Sequence, residues 1–292
     1  MKKPKPTPLR QKFIKFLTLR FLSHRTIQSY TDYIVRLAKF HRKSPDILTS
    51  AEVQDWLYYL LIKRHYTASS VGVAINAVHC FYGRFLGRDC DPILHDIVRP
   101  KLEPRLPRVF SIEEIETLLT VGCQDDPRAK AFLSMVYGGG LRLNEATHVQ
   151  VEDLCSDRHQ LRVRQPKGGK PRYTLLSESL LQILRSYYRQ FSPQGSYLFP
   201  GIRPDSPISS TCGQRLFYDA MRRAKLRGER GIHCLRHSFA THLIESGVEI
   251  TTVQHLLGHA RLASTAIYLH VREERVQQIQ SPLGLLNLTP RS

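Results

Sequence analysis

Residues 231–271 read GIHCLRHSFATHLIESGVEITTVQHLLGHARLASTAIYLHV. His233 and Arg236 stand three apart where apolar residues recur at helical spacing, so they share a helix face and can grip one anion together. The stretch breaks into three short helical patterns, CLRHSFATHLIESG, TVQHLLGH and STAIYLHV, separated by turns. Working back from it, ESLLQILRSYYRQ and GQRLFYDAMRRAKL carry the same periodicity. The fold class this predicts is mainly α.

Between about Val151 and Leu176 the pattern changes to alternation and turning, which reads as a small antiparallel sheet. Its best-marked turn is PKGGKP: Gly168 and Gly169 supply the permissive backbone of a tight hairpin and leave Lys167 and Lys170 at the tip. A capping box, Ser111 to Glu114, opens this α+β region, whose limits are 110–281, with a tail over 282–292.

Upstream, RPKLEPRLPR (99–108) puts three prolines among basic residues, Arg105 included, and predicts an extended linker over 99–109. Residues 1–98 form a separate helical domain with four periodic segments up to about Gly87. Thr49 and Glu52 make a second capping box, ahead of EVQDWLYYLLIKRH. Two lobes on a short basic hinge suggest a C-shaped clamp around a rod-shaped ligand.

Charge indicates what that ligand is. The chain carries a formal net charge of +18, and up to Arg108 there are 20 lysines and arginines against 8 carboxylates. So basic a surface attracts polyanions, nucleic acid above all, and Arg36, Lys39, Lys43, Lys63 and Arg64 on or beside the N-terminal helices are candidate phosphate contacts. The six cysteines include no C-x-x-C pair, which fits reduced thiols in the cytoplasm. Lys15, Arg20 and Arg25 interrupt the N-terminal apolar runs before they reach signal-peptide length, and no stretch is apolar enough to span a bilayer.

The spacing H-x-x-R, then L-G-H, then a tyrosine nine residues on resembles the tyrosine recombinase or phage integrase family, Xer-type resolvases included. His233, Arg236, His259 and Tyr268 match residue by residue. GGGLRLNEATHVQVEDL resembles the family box that holds the first catalytic arginine, at Arg142, with Glu145 bracing it. PKGGKPR resembles the G-K-G-x-K-x-R loop and places the hairpin lysine at Lys167. The likeness covers about 110–271; the N-terminal domain matches only in character, as a basic helical core-binding module. Departures are the GGG before Leu141, Asn144 where serine is common, and Pro166 where glycine usually precedes the lysine. Pro166 and Pro171 would stiffen the hairpin.

The resemblance implies a metal-free and cofactor-free reaction on duplex DNA. Arg142 and Arg236 would neutralise the pentacoordinate transition state, His259 would add a donor, and Tyr268 would attack phosphorus to form a 3′-phosphotyrosyl link. His233 is the expected general base, and Lys167 the acid for the leaving 5′-oxygen. It also implies a homotetramer on two DNA sites, with an accessory or partner recombinase in some systems, and a C-terminal tail that could dock on a neighbouring protomer. Three other readings are a catalytically silent recombinase-derived DNA-binding protein, a related topoisomerase, and a zinc hydrolase built on the i,i+4 pairs His233/His237 and His255/His259. The last lacks an H-E-x-x-H motif and a nearby ligand carboxylate.

Overall fold

A computed structural model of the chain describes residues 7–89, 93, 108–164, 171–203, 205–228, 230–259 and 265. The chain divides into two compact units between Pro104 and Arg105, inside the predicted linker.

In the first unit, α1 (Pro8–Leu19), α2 (His24–His41), α3 (Ser50–Ile62) and α4 (Ala68–His79) follow in order, and α4 runs on into a π-helical turn over Cys80–Phe85. Each helix begins where a hydroxyl can satisfy an otherwise unpaired amide. Thr7, Ser23, Thr49 and Thr67 accept from the N–H three residues on, and Glu52 completes the box at Thr49. The apolar faces meet around Trp56, Phe13, Phe81, Leu17 and Leu37, all at most 1% exposed. Burial of each such side chain contributes about 1.5–3 kcal/mol. Of the basic candidates, Arg36 donates to the Tyr66 hydroxyl at 2.7 Å, and Lys43 is paired with Glu52 at 2.5 Å. Lys39, Lys63 and Arg64 are exposed. Arg105 lies outside the described residues.

The second unit comprises α5 (Ile112–Thr120), α6 (Pro127–Gly138), α7 (Leu143–Thr147), strands β1 (Leu154–Cys155), β2 (Gln160–Val163) and β3 (Arg172–Leu175), then α8 (Glu178–Phe191), α9 (Ser210–Arg223), α10 (His233–Glu245) and α11 (Ile250–Leu257). Helix α6 is buried from Ala131 through Val136, with Phe132, Leu133 and Met135 between them, because α8, α9 and α10 pack around it. The sheet is antiparallel in the order β1-β2-β3, with Leu161 opposite Thr174 and Val163 opposite Arg172. Hydropathy alone would turn Tyr173 and Leu175 inward, yet both are exposed while Arg172 and Thr174 are buried. Polar partners explain the inversion. Thr174 donates to the Gly139 carbonyl at 2.8 Å, and Arg172 reaches a buried carboxylate.

Helix α10 is pinned to the start of the unit. The Phe110 amide donates to Ser238 at 2.7 Å, the Phe110 carbonyl lies 3.0 Å from His242 Nε2, and Arg230 forms a two-pronged ion pair with Glu114. Ser111 and Glu114 make the second capping box. Among the described residues, no helix is long and apolar enough to cross a membrane.

Candidate active site

Arg142 is the N-cap of α7, and Glu145 stands three residues on, where its carboxylate folds back onto the Arg142 amide at 2.8 Å. The same carboxylate accepts from Arg142 Nη1 at 2.8 Å. It also receives Arg172 through two bonds of 2.8 and 3.0 Å, and lies 3.6 Å from Arg236 Nη1. Three guanidinium groups thus surround one carboxylate, which leaves two positive charges uncompensated within the cluster. Burial by itself would raise the Glu145 carboxyl, but hydrogen bonds and charge from Arg172, then Arg142, outweigh it and hold it below the usual carboxylate range.

Exposure divides the three arginines by task. The Arg142 side chain is 43% exposed, while those of Arg172 and Arg236 are 9% and 6% exposed. Arg142 is therefore the one placed to meet an incoming anion. Arg236, on the inner face of α10, donates from Nη1 to the Gly140 carbonyl and from Nη2 to the Leu257 carbonyl, both at 2.7 Å. Arg172 Nε donates to the Leu256 carbonyl at 2.8 Å. Those two carbonyls end α11, where intrahelical donors run out, so two buried arginines cap the negative end of that helix.

This accounts for L-G-H. Leu257 offers its carbonyl, and Gly258 adopts φ +63°, where a Cβ would come within 2.6 Å of Arg172 Cδ. The left-handed turn swings His259 back over Arg236, with His259 Nε2 3.0 Å from Arg236 Nη2. On the other side of the ring, Nδ1 lies 2.9 Å from Thr265 Oγ1, whose side chain is fully buried. Burial and then the charges of Arg236, Arg142 and Arg172 lower the His259 pKa to about 4, so the ring is neutral at pH 7. With both ring nitrogens hydrogen-bonded, His259 is poorly placed to ligate a metal. Among the described residues there is no group of three or more metal-ligating side chains.

His233 opens α10 three residues before Arg236 and, unlike it, is exposed. Protein packed on its inner side, followed by the charges of Arg236 and Arg142, lowers its pKa, and Glu145 only partly offsets this. His237 is lowered likewise, by burial first and then by His233 and Arg236.

The structure therefore brings Arg142, Glu145, His233, Arg236 and His259 into one cluster. Lys167, Lys170, Pro166 and Tyr268 lie outside the described residues, as does the tail after 281. Sequence reading passed over Arg172, Thr265 and the reason for Gly140. Arg172 was visible as the last residue of PKGGKPR. Gly140 has φ +59° and would place a Cβ 2.4 Å from the Phe239 ring, which explains the glycine-rich lead into Leu141.

Comparison with known proteins identifies the family. Residues 108–275 match the phage integrase family, and residues 9–91 match the phage integrase N-terminal SAM-like domain. The chain is 32% identical over 285 residues to a protein of Pyrococcus horikoshii named tyrosine recombinase XerA, covering 94% of this chain and 95% of that one. A crystal structure of XerA recombinase superimposes with a TM-score of 0.55 at 27% identity, covering 94% of this chain and all of that one. The XerH site-specific recombinase bound to palindromic difH substrate shares the fold, with a TM-score of 0.71 at 18% identity over 92% of this chain and 83% of that one.

Proposed function

The chain belongs to the phage integrase family of tyrosine recombinases, and from that premise we propose that it cuts and rejoins duplex DNA at specific sites through a 3′-phosphotyrosyl intermediate, without metal or ATP. One observation carries this reading. Arg142, Arg172 and Arg236 converge on the single carboxylate of Glu145, which leaves a preorganised surplus of positive charge beside His259.

A phosphodiester anion repels a nucleophile, and its transition state spreads charge over the non-bridging oxygens. Arg142 meets one of those oxygens, and buried Arg236 with His259 backs the developing charge. Tyr268 attacks phosphorus: the Tyr268 O–P bond forms as the bond from phosphorus to the 5′-oxygen breaks. The phenolic proton passes to His233, whose lowered pKa keeps it neutral and able to accept at pH 7. The 5′-oxygen takes its proton from Lys167. Because the phosphotyrosyl ester keeps the energy of the broken bond, a new 5′-hydroxyl reverses the step without a nucleotide cofactor.

The working species is a homotetramer on two sites, with a partner recombinase or accessory protein where the site requires one. The helical unit and the linker supply further phosphate contacts, Arg36, Lys39, Lys63, Arg64 and Arg105 among them, the segment between β2 and β3 adds Lys170, and Lys43 joins them once released from Glu52. The enzyme acts in the cytoplasm.

The test is incubation of wild type and Tyr268→Phe with nicked or junction DNA carrying a bound site, in chelator, followed by a denaturing gel. A chelator-resistant protein-DNA adduct that disappears in Tyr268→Phe is the expected result. No adduct on demonstrably bound DNA would favour a silent DNA-binding protein, and relaxation of plasmids without site preference would favour a topoisomerase.

A further inference from the structure

A guanidinium group has N–H donors and no acceptor, so the 3.0 Å contact between Arg236 Nη2 and His259 Nε2 has only one polarity: Nε2 accepts. A neutral imidazole that accepts at Nε2 carries its proton on Nδ1. That proton needs a partner, because the ring is packed among buried groups, and Nδ1 lies 2.9 Å from Thr265 Oγ1. Thr265 is fully buried and is three residues ahead of Tyr268 in the chain.

We propose that Thr265 is a positioning residue for His259: its buried hydroxyl accepts the Nδ1 proton and so holds the ring with Nε2 turned to Arg236 and to the substrate oxygen. The catalytic part of this rests on the recombinase reading above; the tautomer does not.

The Thr265 hydroxyl can accept from both ring forms that carry a proton on Nδ1, namely the neutral form and the imidazolium, while Arg236, which has no acceptor, disfavours the neutral form protonated on Nε2. Surrounding charges set which of the two prevails. Arg236 and His237 on α10, Arg142 at the α7 cap and Arg172 on β3 all act on the ring, and each favours its neutral state. Glu145 is shared among the three arginines. In the free protein the Nε2 lone pair therefore points at Arg236 and offers no proton to a phosphate. An entering phosphodiester anion adds the opposite charge and favours the imidazolium. Nε2 then donates to the non-bridging oxygen while Nδ1 remains on Thr265. His259 is in this way a donor that switches on with substrate, and Thr265 keeps its orientation the same in both states.

Two readouts on the full chain test this. The first uses protein with 15N-labelled imidazoles, the signals of His259 being identified among the 13 histidines by their loss in His259→Gln. Wild type should show His259 protonated on Nδ1 at pH 7. Thr265→Ser should keep that tautomer and a slowly exchanging Nδ1 proton, whereas Thr265→Val, its tautomer still set by Arg236, should lose the protection of that proton. The second is the rate of covalent adduct formation on site DNA. Thr265→Val should be about tenfold slower, the loss of one hydrogen bond. That deficit should widen as pH rises, because the imidazolium has lost a partner; Thr265→Ser should stay within about twofold of wild type. Wild type protonated on Nε2, or a Thr265→Val protein whose Nδ1 proton exchanges as in wild type and whose pH profile is unchanged, would overturn the proposal. A wild type that binds its site yet makes no adduct would instead defeat the recombinase reading, and the nitrogen signals would still decide the role of Thr265.

Discussion

Arg172 and Glu145, 27 residues apart in the chain, face each other through two hydrogen bonds of 2.8 and 3.0 Å, with each side chain only 9% exposed. The pair joins β3 to the cap that holds Arg142, and through Leu256 to the end of the helix that presents His259. Arg172→Ala should leave a buried carboxylate short of its main partner and cost about 3–5 kcal/mol of stability. Arg172→Lys, which cannot reproduce the fork, should recover only part of this. Urea denaturation of both variants, alone and combined with Glu145→Gln, measures the coupling. Additive losses would show that the pair contributes little.

Gly140 is the second point of tight construction. Its φ of +59° disfavours any side chain, and a Cβ would press on the Phe239 ring at 2.4 Å. Gly140→Ala should lower stability by about 2–4 kcal/mol, combining backbone strain with overpacking. Because the Gly140 carbonyl holds Arg236, adduct formation should also slow at temperatures where the variant remains folded. Thermal denaturation alongside the cleavage assay separates the two effects.

Acid should loosen this unit before it titrates its surface carboxylates. The folded pKa of His259 is lowered from 6.5 to about 4, so below pH 6.5 the unfolded chain binds a proton that the folded one refuses. Stability is therefore full above about pH 6.5 and declines down to about pH 4. His233 and His237, both lowered, act in the same direction. Glu145 adds to the loss only below 4.5, where its unfolded form becomes protonated while the folded form stays ionised. Urea midpoints across pH 4 to 8 should fall more gently for His259→Gln than for wild type, and parallel curves would refute this account.

DNA affinity should fall steeply with salt, since the basic excess binds phosphate through released counterions. A loss of about a thousandfold between about 50 and 200 mM salt corresponds to some six phosphate contacts. Binding isotherms on a site-bearing duplex give the slope directly. Replacing Lys63 and Arg64 with glutamine should make it shallower without changing site preference, because phosphate contacts carry little sequence information.

Much of this was legible in the primary structure where the relevant interactions are local. Thr49 with Glu52 and Ser111 with Glu114 are capping boxes because the partners stand three residues apart, and both appear as read. The helix from His233 and the antiparallel sheet before α8 likewise follow from periodicity and turn chemistry. Strand β3 was not legible in the same way. Its alternation puts Tyr173 and Leu175 on the apolar positions, yet a buried carboxylate and the Gly139 carbonyl draw Arg172 and Thr174 inward instead.

By itself, then, the sequence determined where two capped helices begin, the order of the motifs and the identity of the groups able to stabilise an anion. Tertiary structure alone decided that Arg236 rests on Gly140, 96 residues away, that Arg172 completes the cluster around Glu145, and that His259 Nδ1 lies against Thr265. The reason is physical. Caps and periodicity are settled by neighbours within a turn, whereas the partner of a buried charge is whichever group the packed core brings within about 3 Å.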